Sequence, residues 1–336
     1  MIDPVAAHVV VEVAERYYLR EQTQAEVARA LGISRPRVSR LLKQGRETGI
    51  VAISIRAPFD RPADLEREFE ARFNLRDVII VPESENPLTR VAQAAAEYVR
   101  SKIKAGTALG VSWGRTVRQV ADLLPLGGGD AVEVVPLVGG MGPVGSEIHA
   151  NEIARQAAAR LGCRYYVMSA PALTQSSSSH AALVRDRTVR GILMKARRVQ
   201  LALVGIGGIV ADSTLVRAGY LSADDLRGLR RDGAVGDICS RYFCVDGKPS
   251  EARIARRVVG IELTALRQIP LVIGAAAGKE KTAAIAGALR GRYVDVLVTD
   301  VPTARSVLRL AVPSRPGRRD AATPGDSLPR PATLRG

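Results

Sequence analysis

QAEVARALGISRPRVSRLLK, residues 24–43, reads as two short helices joined by a tight turn. Val27, Ala28, Leu31, Ile33, Val38 and Leu41 are spaced so that the helices pack on each other about a turn at Gly32, with the small Ala28 where they approach. Ser34 stands at the N-cap of the second helix and Pro36 in its first turn, where a missing amide hydrogen costs nothing. The outward positions carry Arg35, Arg37, Ser39, Arg40 and Lys43, with Arg46 just beyond, and no acidic residue lies between Ser34 and Arg46. Such a face suits phosphates and base edges, so the expectation is a DNA-binding helix-turn-helix, with Gln24 at the start of the first helix in the contact set. The plainer alternative is a solvated helical hairpin with a basic face.

Working outward, Pro4 to Arg20 has a helical stripe of Val9, Val10, Val13, Ala14, Tyr17 and Tyr18 that would pack beneath the pair. GIVAISI (49–55) reads as a short strand or wing, and Pro58 and Pro62 break the pattern after it. The expected organisation is a small all-α domain over 1–56, a linker over 57–62, a large domain over 63–310 and a disordered basic tail over 311–336. In the large domain, Leu65, Phe69 and Phe73 form one stripe of a charged helix, which either covers its own domain or meets its copy in a second subunit.

With 336 residues, most of the chain must do something other than bind DNA. A net charge of +15 and a pI near 10.3 favour a polyanionic partner. Apolar residues make up 46% but aromatics only 4%, so the core must be mostly aliphatic, as in a sheet covered by helices. Cys163, Cys239 and Cys244 lack metal-ligand or disulfide spacing, no apolar run reaches the roughly 18 residues of a membrane span, and no leader pattern opens the chain. A cytoplasmic protein without a membrane partner is expected.

From Asp77 onward apolar runs alternate with helical patterns. Strands are predicted over Val78–Val81, Thr107–Val111, Val132–Val138, Arg164–Met168, Val199–Ile206, Tyr242–Val245, Val258–Ile261, Leu271–Gly274 and Asp295–Thr299. Helices are predicted over Leu88–Lys104, Thr116–Leu124, Asn151–Leu161, Ala223–Arg231 and Lys281–Leu289. The alternation argues for a doubly wound, mostly parallel α/β domain, whose ligands sit at the carboxyl ends of the strands.

Four stretches fall there. GVSWGRT (110–116) links a strand to a helix N-terminus, so Ser112, Gly114, Arg115 and Thr116 are candidates to cradle an anion, or else form an ordinary turn. GGMG (139–142) and GIGG (205–208) follow strands, and Gly139 and Gly140 would let a ligand approach the backbone. GIGG continues to Val210 where a dinucleotide site needs glycine or alanine, and GKEK (278–281) departs from the nucleotide-binding loop in spacing and at Glu280. Neither a nicotinamide cofactor nor ATP is expected. Lys281 could reach a phosphate from its helix start or be a surface lysine, and Asp237 and Asp300 could bond sugar hydroxyls or cap turns. His8, His149 and His180 fit no triad and no metal site, so neither catalytic residues nor a metal or other cofactor is expected.

The chain resembles the SorC family of bacterial sugar-responsive transcriptional regulators, through TQAEVARALGISRPRVSRLL, GVSWGRT, PLVGGMG, VGIGG, GAVGDI and DVLVTD in that order. The resemblance implies an effector domain of the sugar-isomerase and deaminase-like type, which binds a sugar or sugar phosphate and alters affinity for a double-stranded operator. It also implies a homodimer or homotetramer, with the GVSWGRT loop facing Lys281 across the ligand. The rival is an active sugar-phosphate isomerase or deaminase carrying an appended DNA-binding domain.

Overall fold

The computed structural model describes residues 4–51, 62–127, 132–140, 148–209 and 221–311. The chain falls into two compact units, Met1–Phe59 and Asp60–Gly336.

The first unit contains α1 (Pro4–Ala14), a π-helical turn (Glu15–Leu19), α2 (Gln24–Leu31) and α3 (Arg35–Glu47). Thr23 opens α2 with a capping box: its hydroxyl accepts the Glu26 amide hydrogen, and the Glu26 carboxylate accepts the Thr23 amide hydrogen at 2.8 Å. Gly32 ends α2 at φ 64, the left-handed geometry that turns the chain into α3. Ser34 occupies the α3 N-cap with extended backbone, but its side chain makes no capping bond. Val13, Val27, Ala28, Val38 and Leu42 form the core. Leu42 is therefore the buried leucine, while Leu41 is only partly covered. Gly45 admits α1 closely, since a Cβ there would lie 3.1 Å from both Val10 and Val51. The strand or wing expected over Gly49–Ile55 lies mostly outside the described residues, as do most of the linker and the tail.

The second unit runs α4 (Ala63–Phe73), β1 (Asp77–Val81), α5 (Pro87–Lys102), β2 (Ala108–Val111), α6 (Arg115–Leu123), β3 (Glu133–Pro136), α7 (Ala150–Leu161) and β4 (Arg164–Tyr165). It continues through α8 (Ser177–Arg185), α9 (Arg187–Ala196), β5 (Leu201–Gly205), β6 (Gly207–Gly208), α10 (Ala223–Arg231), β7 (Ala234–Ile238) and β8 (Arg241–Cys244). It closes with α11 (Leu263–Leu266), β9 (Val272–Ala275), α12 (Thr282–Arg290), β10 (Val296–Asp300) and α13 (Val301–Ala311).

Seven strands form one parallel sheet in the order β1-β10-β9-β5-β2-β3-β4. Alternate residues of each strand enter opposite cores: Ala202 and Val204 join one, Leu201 and Leu203 the other, which α5, α6 and α7 cover. Each fully buried Val or Leu contributes about 1.5–3 kcal/mol, so the aliphatic strands hold the sandwich without aromatic bulk. Phe69 is fully buried in α4, with Leu65 and Phe73 packed on the same core, so this stripe covers its own unit. From the same helix, Glu66 accepts the Ile80 amide hydrogen at 2.8 Å and blunts the β1 edge.

Six of the predicted strands fall within two residues of strands in this sheet. Three expectations need correction. Arg164–Met168 shortens to Arg164–Tyr165. Tyr242–Val245 becomes β8, which lies not in the parallel sheet but in a separate antiparallel one, β6-β7-β8. Val258–Ile261 is no strand of either sheet, only isolated bridges to Leu173 and Val138, because the Arg241 guanidinium bonds the carbonyls of Val258, Gly260 and Ile261. The sequence reading also missed β6, β7, α8, α9, α11 and α13.

Candidate functional site

The helix α3 turns Val38, Leu42 and Gly45 inward. At about 3.6 residues per turn this leaves Arg40 and Lys43 at the centre of the outward face, with Arg35 and Ser39 on one flank and Arg37 on the other. All five are exposed, as is Ser34, while Gln24 is half-buried. The Arg46 guanidinium is anchored within the unit, donating to the Tyr18 phenol oxygen at 2.9 Å. Lys43 pairs loosely with Glu47 at 3.6 Å, with both side chains well exposed.

In the second unit the connection after β2 runs to β3 on one side, while that after β5 runs to β9 on the other. The loops therefore diverge at the carboxyl ends of β2 and β5 and leave a crevice, the switch point where doubly wound sheets take ligands. A cavity of about 460 Å³ opens there, within the range of small-molecule sites.

Most of its wall comes from four places, with Pro87 and Leu88 at the start of α5 and Leu221 completing it. Trp113 to Val117 link β2 to α6, Gly205 to Ile209 follow β5, Ala277 to Lys281 follow β9, and Asp237 and Tyr242 arrive from the small sheet. Gly114 caps α6 at φ 116 and Gly278 precedes a 3₁₀ turn (Lys279–Lys281) at φ 115, so two glycines with positive φ deliver two chain turns to one space. The α6 N-terminus presents free amides and the positive end of its dipole.

Asp237 is 6% exposed, and its Oδ2 accepts the Ser240 amide hydrogen at 3.0 Å. Burial pushes its carboxyl up to about 6, against the Ser240 amide and the Lys281 charge, which both favour the carboxylate. Gly207 lies so close that a Cβ there would overlap Asp237 Oδ1. Burial pushes the Lys281 ammonium down, Glu280 and Asp237 pull it up, and the Arg115 charge pushes it down further. Burial, then the Asp237 charge, raise the Tyr242 phenol. The cavity thus sets two cations and a helix N-terminus near a buried acceptor, with Trp113 and Ile206 as apolar wall. Such a set can hold a dianion through its cations and amides and hydroxyl groups through its acceptor.

Of the residues expected from sequence, Gly114, Arg115, Thr116, Asp237 and Lys281 come together here. The other four do not line the cavity. The Ser112 hydroxyl accepts the Gly205 amide hydrogen at 3.0 Å and donates to Trp113 O at 3.3 Å, so it ties β2 to β5. Gly139 and Gly140 donate to Val259 O and Ala170 O at 2.9 and 2.8 Å, and a Cβ on Gly139 would lie 2.6 Å from Ala170 O; this glycine serves packing between segments. The rest of the GGMG stretch, 141–142, lies outside the described residues. Asp300 is buried at the end of β10, paired in register with Val81, and its Oδ1 has no hydrogen-bond partner. Trp113 and Tyr242 were not singled out, and Gly207 was quoted only within GIGG; Trp113 lies inside a quoted motif, while nothing local marks Tyr242. Among the described residues the cavity contains no histidine or cysteine, no cluster fits a metal ion, and no helix is long and apolar enough to cross a membrane.

The family described as "Putative sugar-binding domain" matches residues 57–309, and "Sigma-70, region 4" matches residues 12–48. The sorbitol operon regulator of Klebsiella pneumoniae is 35% identical over 309 residues, covering 89% of this chain and 97% of that relative. The deoxyribonucleoside regulator of Bacillus subtilis is 31% identical over 302 residues, covering 89% and 96%. The crystal structure of the full-length sorbitol operon regulator SorC from Klebsiella pneumoniae matches with a TM-score of 0.76 at 34% identity, covering 92% of this chain and all of that one.

Proposed function

Because the chain belongs to the SorC family of sugar-binding transcriptional regulators, we propose that it binds an operator through α3 and that a sugar phosphate in the switch-point cavity changes operator affinity. The observation that carries the ligand class is the meeting, in one cavity, of Arg115, Lys281 and the α6 N-terminus with the buried Asp237. A phosphate fits the first group and sugar hydroxyls the second.

In this reading residues 1–56 contact DNA, 57–62 link, 63–310 bind effector and 311–336 form a basic tail. The protein acts in the cytoplasm as a homodimer or homotetramer reading paired half-sites. Its cavity binds without turnover, a role supported by relatives named as transcriptional regulators.

Trp113 is the chain's single tryptophan and lines the cavity, so its fluorescence reports occupancy directly. Titration with sugars and their phosphates, beside thermal melts, tests the reading. A ligand at 100 times its dissociation constant adds about 2.7 kcal/mol to the native state. Phosphorylated sugars should shift both signals more strongly than their free sugars; the reverse order would remove the phosphate from the reading.

A further inference from the structure

Asp237 and Tyr242 reach the cavity from the two strands of one hairpin, β7–β8, whose turn residues are Cys239 and Ser240. Both have positive φ, 55 and 60, and neither is glycine. A two-residue turn with that backbone asks for residues such as Asn-Gly, because a Cβ crowds the left-handed conformation. Ser240 adds a second conflict, since its hydroxyl is buried with no hydrogen-bond partner. Within the turn itself, the bond from the Ser240 amide to Asp237 Oδ2 supports the shape.

The next residue supplies what the turn lacks. Arg241 is 8% exposed and donates to Ala255 O (3.0 Å), Val258 O (3.0 Å), Gly260 O (3.1 Å) and Ile261 O (3.3 Å), and to Glu262 Oε1 at 2.6 Å. Those carbonyls belong to a segment that is itself fixed: the Ile261 amide donates to Leu137 O at 2.8 Å, and the Gly139 amide donates to Val259 O at 2.9 Å. Leu137 directly follows β3 of the large sheet. The guanidinium therefore fastens a hairpin of unfavourable turn sequence to the sheet whose loops supply the other cavity walls.

We propose that Arg241 is a positioning residue for the effector cavity, holding the β7–β8 hairpin in its strained turn so that Asp237 and Tyr242 face the ligand. The inference rests on the cavity being the effector site, but the hairpin's geometry can be read without any ligand. Without the guanidinium the turn relaxes, and the Ser240 amide carries the Asp237 carboxylate away with it. Lysine cannot substitute, because an ammonium lacks the planar fork that meets several carbonyls at once.

Hydrogen exchange by mass spectrometry on the full chain tests this in wild type, Arg241→Lys and Glu262→Gln, each with and without Ser240→Gly. In Arg241→Lys, peptides covering residues 234–244 should exchange about tenfold faster, equivalent to about 1.4 kcal/mol of easier local opening. Peptides covering β2 and β9 should be unchanged. Glu262→Gln, which removes the charge of one half-exposed partner, should give a smaller acceleration in the same peptides and carries the test if the lysine variant does not fold. Ser240→Gly relieves the turn and should restore protection in either background, an outcome that general loss of stability would not give. Unchanged exchange over 234–244, or acceleration across both sheets with no rescue by Ser240→Gly, would overturn the proposal. Failure of every sugar phosphate to bind would count against the effector reading alone.

Discussion

The Ser112 hydroxyl accepts the Gly205 amide hydrogen at 3.0 Å, joining the exits of β2 and β5 where the connections of the sheet part. A residue of the loop motif thus builds the crevice, and its neighbours Gly114, Arg115 and Thr116 line it.

Ser112→Ala should leave the Gly205 amide without its partner in a partly buried place, a loss of about 1 kcal/mol. In a unit of this size that lowers the melting temperature by several degrees. Calorimetry of wild type and variant measures it, and an unchanged transition would mean that the hydroxyl contributes nothing.

Asp237 gives the protein a pH signature. Its carboxyl is raised by burial from 3.8 to about 6 in the folded state, so the folded state holds its proton more tightly than the unfolded state. The associated stabilisation is complete below about pH 4 and is lost as pH rises through about 6, a change of about 3 kcal/mol. Asp237→Asn should therefore be more stable relative to wild type at pH 7 than at pH 4. Its effector affinity should fall, because an amide cannot reproduce a carboxylate acceptor. Urea unfolding at both pH values checks the first statement and Trp113 fluorescence the second; a stability difference independent of pH would contradict the burial account.

Gly207→Ala should abolish effector binding and leave operator binding intact. The new Cβ would overlap Asp237 Oδ1, so the buried carboxylate must move, while α3 belongs to the other unit. Retained effector affinity in this variant would show that Asp237 does not contact the ligand.

On α3, alanine at Arg40 or Arg37 should relax base preference by about 1–3 kcal/mol at the contacted pair, whereas Lys43→Ala should weaken all sequences alike and flatten the salt dependence. Competition binding over randomised half-sites separates the two. Arg46→Ala should lower the stability of the first unit, since its guanidinium is engaged by Tyr18.

The helix-turn-helix and the parallel sheet were legible because their signals are local: apolar spacing, Gly32 as the turn, and aliphatic runs bounded by helices. Five of the nine expected effector residues line the cavity because strand-to-helix loops of a doubly wound sheet converge at its carboxyl edge. Ser112 does not line the cavity, because one hydroxyl serves a neighbouring strand as well as it serves a phosphate. Gly139 does not line the cavity either, and its sequence could not say so, because close approach of Pro171 and close approach of a ligand ask for the same residue. Tyr242 and the role of Arg241 were invisible, since the first depends on a hairpin folding over the crevice and the second on carbonyls 14 to 20 residues away in sequence.

The central claim is that a ligand in the cavity sets operator affinity, and operator titrations of wild type and Lys281→Gln test it most directly. Both are measured with and without the sugar phosphate that best stabilises the wild type. Effector coupling of ordinary size should change wild-type operator affinity by about 5- to 150-fold. The variant should bind the operator as tightly as unliganded wild type and show no response at the same effector concentration. A full response in Lys281→Gln, or an operator affinity in wild type that no stabilising sugar phosphate alters, would contradict the account.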